Sequence, residues 1–107
     1  MERFGMIVRL APGKINEYRE LHRKVWPGVV ERIKACHISN YSIYYKDGYL
    51  FSYYEYDGDN YERDMQKMAE DPTTKQWWAL CEPCLNLSTI QSEGEWWTMM
   101  EEVFHLE

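Results

Sequence analysis

Ile38-Ser39-Asn40-Tyr41-Ser42-Ile43-Tyr44-Tyr45-Lys46-Asp47-Gly48-Tyr49-Leu50-Phe51-Ser52-Tyr53-Tyr54-Glu55-Tyr56 decides the fold. Two β-forming runs flank Asp-Gly, a pair suited to the tight turn that needs φ > 0 at its central positions, so the stretch reads as a hairpin. Upstream, Phe4 to Leu10 alternates, with Phe4, Met6, Val8 and Leu10 on one side and Gly5, Ile7 and Arg9 on the other; Pro12-Gly13 ends this strand. From Lys14 to about Ala35 the period becomes helical, with Tyr18, Leu21, Val25, Val29 and Ile33 in one stripe. Pro27 lies inside that run and has no N–H, so the helix must kink or restart near Trp26. Downstream, Asp59 or Asn60 can cap a helix carrying Tyr61, Met65 and Met68 on one face. Asp71-Pro72 reads as a cap and first-turn proline for another helix containing Gln76-Trp77-Trp78. Residues 82–95 read as a loop, and Trp97 to Leu106 alternates as a last strand.

The order β-α-β-β-α-β predicts an α+β protein with a ferredoxin-like split β-α-β arrangement: an antiparallel sheet with helices on one face, in one domain over residues 1–107. Aromatic residues on both sides of the hairpin strands predict a cover for the second sheet face, and a homodimer with two sheets facing each other is the expected one. At 107 residues there is room for one domain and one site. Net charge is −6, and Arg19, Arg23 and Lys24 are interrupted by Glu20, so no groove for phosphate is expected and nucleic acid is disfavoured as a partner. No apolar run approaches the ~20 residues of a membrane helix. Three cysteines, no recognisable signal peptide and the absence of a membrane span predict a reducing, cytoplasmic setting.

Aromatic residues make up 16% of the chain, and the surplus needs a role. Tyr18, His22 and Trp26, four apart, stack along one line of the first helix. Imidazole titrates nearest neutrality and is the natural acid/base of this set, although the same stripe also describes a core face with His22 at its boundary. Trp77-Trp78 offers flat indole faces for the C–H side of a sugar ring, or equally for a core or an interface. Alternation places Asn40, Ser42 and Tyr44 on one face of the second strand and Ser39, Tyr41, Ile43 and Tyr45 on the other. Cys81-x-x-Cys84 has the spacing of a redox dithiol or half a zinc site, but it lacks two further paired ligands and a preceding strand. No metal and no cofactor are expected.

Tyr18-x-x-x-His22-x-x-x-Trp26-Pro27, Asn40-Tyr41-x-Ile43-Tyr44, Gln76-Trp77-Trp78 and Met100-Glu101-Glu102-Val103-Phe104-His105-Leu106 together resemble the L-rhamnose mutarotase family, in order and over nearly the whole chain. The resemblance implies a dimeric ferredoxin-like α+β barrel. It also implies an isomerase that interconverts the α and β anomers of a 6-deoxy sugar, most simply L-rhamnose, without a cofactor. By the same resemblance His22 matches the proton donor, and Tyr18, Tyr41, Trp77 and Trp78 match sugar-holding positions; ring opening needs a proton on the ring oxygen, which His22 is expected to give, with Tyr18 or Tyr41 holding the anomeric hydroxyl or relaying its proton. Two other readings compete: a non-catalytic sugar-binding module, and a cofactor-free oxygenase or haem-handling protein on the same scaffold.

Overall fold

A computed structural model describes residues 1–86 and 97–107. Strand β1 (Glu2–Leu10) leads through helices α1 (Ile15–Arg23) and α2 (Pro27–Ala35) into β2 (Ile38–Lys46) and β3 (Tyr49–Tyr56). Helices α3 (Tyr61–Glu70) and α4 (Pro72–Cys81), a 3-10 turn (Glu82–Cys84) and the short strands β4 (Leu85–Asn86) and β5 (Thr98–Met100) complete it. The sheet order is β2-β3-β1-β4, with β5 also on β1, and every pairing is antiparallel. The split β-α-β order is thus the observed one, with each helical segment divided in two.

Local chemistry explains each boundary. Asp47 and Gly48 have φ of +51° and +85°, so the Asp-Gly turn closes the β2–β3 hairpin. The first helical run breaks at Trp26, and Pro27 restarts it as the first residue of α2, where a missing N–H costs nothing. Asn60 accepts a hydrogen bond from the Arg63 N–H at 3.0 Å and so caps α3. Asp71 accepts from both the N–H and the hydroxyl of Thr74 at 2.9 Å and caps α4. These bonds, with Arg32 3.4 Å away, hold the Asp71 carboxyl below the usual carboxylate range.

Every second residue of β3 is buried: Leu50, Ser52, Tyr54 and Tyr56. With Val8 and Leu10 they form the inner sheet face; Tyr18 packs with Val8, Leu10 and Leu50, while Val29, Trp77 and Cys81 form a second cluster between the helices. A third cluster joins Ile38, Tyr54 and Tyr56 to Met65 and Met68 of α3. Tyr56 also donates a hydrogen bond to the buried Asp64 at 2.5 Å and accepts one from the Asn60 N–H at 3.0 Å, tying α3 to the sheet.

Two expectations need correction. The segment from 82 opens with a 3-10 turn and a two-residue strand rather than plain loop; from residue 87 the expected loop lies outside the described residues, as does Trp96. The last strand is shorter than Trp97–Leu106. It pairs Thr98, Met99 and Met100 with Ile7, Met6 and Gly5, and continued pairing would run out of β1 within three more residues, at Glu2. Past the Arg3–Glu102 ion pair at 2.9 Å the tail pairs with no strand among the described residues, and Val103, Phe104 and Leu106 are 89%, 79% and 80% exposed. Phe104 is therefore not part of the core.

Candidate active site

His22 ends the first helix on the side that faces α4. Its Nδ1 lies 2.9 Å from the carbonyl oxygen of Tyr18. A carbonyl only accepts, so Nδ1 donates, and in the neutral ring Nε2 is left as the lone-pair nitrogen. The Tyr18 ring stacks on the imidazole at 4.2 Å between centroids, and the edge of Trp77 meets it at 5.3 Å. Burial lowers the His22 pKa, outweighing the Tyr18 carbonyl, which raises it. The ring is held in one orientation, one tautomer and mainly its neutral form.

Beside it opens a cleft of about 640 Å³ between the helices and β2. His22, Tyr41, Trp77 and Trp78 all line it, with Tyr54, Met6, Met65 and Met68 on the remaining walls. Consecutive residues on a helix point about 100° apart; Trp77 is buried against Val29, Cys81 and Trp26, while Trp78 is partly exposed at the same cleft. Burial pushes the Tyr41 phenol up to about 12, so it stays protonated and can donate. Tyr54, whose ring lies 5.2 Å from that of Tyr41, exchanges a hydrogen bond with the Tyr61 hydroxyl.

Four of the five expected site residues thus share one cleft. Tyr18 does not line it. It lines an adjoining depression of about 460 Å³ that shares His22 and Ile43 with the cleft, and burial, with Tyr41 nearby, pushes its phenol far up. The four-residue spacing correctly stacked Tyr18 on His22; their being adjacent on one line of the helix left open which of them meets the cleft. Tyr54 and the three methionines are further walls, to which the sequence reading gave no role in the site. The signal for Tyr54 was its place in the inward 50-52-54-56 alternation.

Cys81 and Cys84 are buried free thiols. Burial raises Cys81 to about 12 and Cys84 to about 11, and the Cys84 thiol donates to Glu17 at 3.2 Å. Thiols held protonated in this way are poor nucleophiles and poor ligands, and among the described residues no group of three metal-ligating side chains includes them.

The fold and cleft define a small α+β protein with an aromatic-walled pocket around one oriented imidazole. The chain matches the family model described as L-rhamnose mutarotase over residues 3–106. It is 32% identical over 109 residues to an L-rhamnose mutarotase of Oceanobacillus iheyensis, covering all of both chains. A namesake from Listeria monocytogenes is 32% identical over 108 residues and 99% of each. The structure superposes on that of L-rhamnose mutarotase FA22100 from Formosa agariphila with a TM-score of 0.79 over the full length of both chains, at 24% identity. It also superposes on tetracenomycin F2 cyclase from Streptomyces glaucescens at a TM-score of 0.69, again over both full chains, at 9% identity, which shows a shared fold alone. The chain belongs to the L-rhamnose mutarotase family. Its enzyme class is isomerase, acting at the anomeric carbon of a sugar.

Proposed function

We propose that the chain exchanges the α and β anomers of L-rhamnose through His22, with Tyr41, Trp77 and Trp78 holding the ring and Tyr18 fixing the imidazole by stacking on it. The observation that carries this reading is the Nδ1–Tyr18 carbonyl bond at 2.9 Å, which leaves Nε2 for a ligand in the cleft.

The anomeric oxygen and the ring oxygen are bonded to the same carbon, so one nitrogen can serve both. Neutral His22 takes the proton of the anomeric hydroxyl at Nε2. The resulting imidazolium gives a proton to the ring oxygen as the bond between that oxygen and the anomeric carbon breaks. The products are the open-chain aldehyde, a free hydroxyl and the neutral imidazole. Rotation of the aldehyde about its bond to the neighbouring carbon, followed by the reverse steps, closes the ring on the opposite face.

Tyr41 is the weaker candidate for the second transfer. With its phenol raised to about 12 by burial, Tyr41 keeps its proton near neutrality, whereas His22 changes charge close to it. The role of Tyr41 is therefore to donate a hydrogen bond to the oxygen that carries negative charge. The indoles, with Met65 and Met68 nearby, suit the C–H faces of the ring and the methyl group of a 6-deoxy sugar, whose burial contributes ~1 kcal/mol. His22→Ala should slow anomer exchange, followed by saturation-transfer NMR, by ~10²–10⁴; an unchanged rate refutes the assignment.

Homodimerisation and a cytoplasmic setting belong to the same proposal. The exposed tail residues Val103, Phe104 and Leu106, with Tyr44 on β2, present apolar surface that a second copy would cover. Three free cysteines fit a reducing compartment.

A further inference from the structure

Regular alternation along β2 would keep Tyr41 out of the cleft. Counted from Ile38, whose side chain is buried with Tyr54 and Tyr56, a plain strand puts Asn40 on the inner face and Tyr41 on the outer. The observed register differs. Ser39 opposes Glu55 and Ser42 opposes Tyr53, so Asn40 and Tyr41 together oppose Tyr54 alone. This one-residue bulge shifts the alternation by one place, and Tyr41 and Ile43 join Ile38 on the inner face. The Tyr41 ring thereby reaches Tyr54 at 5.2 Å and the cleft that holds His22.

The extra residue is absorbed at Asn40, whose φ is +50°. That left-handed conformation is open to glycine and tolerated by asparagine, and it strains alanine and β-branched residues. Asn40 Nδ2 donates to Glu55 Oε1 at 2.6 Å, and Glu55 Oε2 accepts from the Tyr53 hydroxyl at 2.8 Å. Because a carboxylate accepts only, the amide orientation follows from the partner. Although Asn40 borders the cleft, its amide N–H is committed to β3. Bulges beside active sites commonly re-aim one side chain.

We propose that Asn40, pinned by Glu55, is a positioning residue: it holds the bulge that turns the Tyr41 hydroxyl into the sugar cleft. The proposal rests on the reading of Tyr41 as a sugar-holding residue. It assigns Asn40 a backbone task, so glycine should substitute for it where alanine does not.

The test measures kcat and KM for L-rhamnose by saturation-transfer NMR in Asn40→Gly, Asn40→Ala and Tyr41→Phe, and in Asn40→Ala combined with Tyr41→Phe. Asn40→Gly is expected to stay within about threefold of wild type, and Asn40→Ala to lose about 10–100-fold in kcat/KM, mainly through KM. In the Tyr41→Phe background the alanine substitution is expected to cost no more than about twofold, since its effect runs through Tyr41. Equal losses in the glycine and alanine variants, additive losses in the double variant, or no loss in Asn40→Ala overturns the proposal. If Tyr41→Phe alone leaves exchange unchanged, the sugar-holding reading of Tyr41 fails. The bulge is then judged by NMR titration of the Tyr41 phenol: movement from about 12 toward 10 in Asn40→Ala supports it, and no movement overturns it. Should Asn40→Ala not fold, Asn40→Gln, which keeps an amide but lacks asparagine's tolerance of positive φ, takes its place with the same readouts and the same expected outcomes.

Discussion

Acidifying the solution should switch the exchange off, and the structure sets the direction. Two effects of opposite sign act on His22: burial lowers its pKa and the Tyr18 carbonyl raises it, and burial dominates. The pKa therefore lies below the ordinary 6.5, each unit of lowering representing about 1.4 kcal/mol of preference for the neutral ring. Neutral imidazole is the form that takes the anomeric proton, so at pH 7 the resting protein is predominantly competent. We expect kcat/KM to be level between about pH 7 and 8 and to fall about tenfold per pH unit below the His22 pKa. Stability has the same sign. Between the folded and unfolded pKa values the unfolded chain binds more protons, so stability is lost as pH falls through 6.5 and the loss is complete below the folded pKa. The assay is saturation transfer between the two anomeric proton signals of L-rhamnose across pH, with the protein-free rate subtracted, beside a direct titration of the His22 ring protons. A rate that climbs on acidification with a midpoint above 6.5 refutes the reasoning, because the imidazolium would then be the reactive resting form. Tyr41→Phe should lower the plateau about 10–100-fold and leave the inflection in place, since removing one hydrogen bond to a charged oxygen costs about 1.5–3 kcal/mol and the phenol does not titrate in this range.

Two further outcomes follow from packing. A methyl group at Gly58 would meet the Tyr56 hydroxyl, its Cζ at 2.6 Å and Asp64 Oδ2 at 2.8 Å, atoms of side chains that are themselves fully buried. Gly58→Ala should therefore cost about 2 kcal/mol or more and lower Tm by roughly 10 °C in calorimetry; an unchanged Tm would show that the Tyr56–Asp64 pair yields easily. Ending the chain at Glu102 removes Val103, Phe104 and Leu106, and sedimentation at matched concentrations should show a shift toward monomer with the thermal transition of the domain retained. Identical sedimentation of the two forms would separate the tail from self-association.

The element order, the Asp-Gly hairpin, the helix restart at Pro27 and the caps at Asn60 and Asp71 were all legible in the sequence, because turn residues, a missing N–H and capping side chains act within a few positions of themselves. The inward face of β1 was legible for the same reason, through its period-two alternation, whereas β3 carries aromatic residues on both sides and its buried face was settled by packing. His22 stood out by its chemistry and by stacking one turn from Tyr18. What tertiary structure alone decided is where those groups point and what surrounds them. The Tyr18 carbonyl selects the imidazole tautomer, and enclosure by Trp77 and the cleft walls lowers its pKa; both depend on atoms that periodicity does not place. Tyr18 stacks on the imidazole beside the cleft, in a depression that shares His22 and Ile43 with it, and periodicity does not tell which of two adjoining hollows a ring lines. Tyr41 illustrates the limit best. Its alternation with Ile43 can be read from the sequence, but its sharing a face with Ile38 requires one extra residue between two ladders. Only the partner strand, setting Asn40 and Tyr41 against a single Tyr54, reveals that residue.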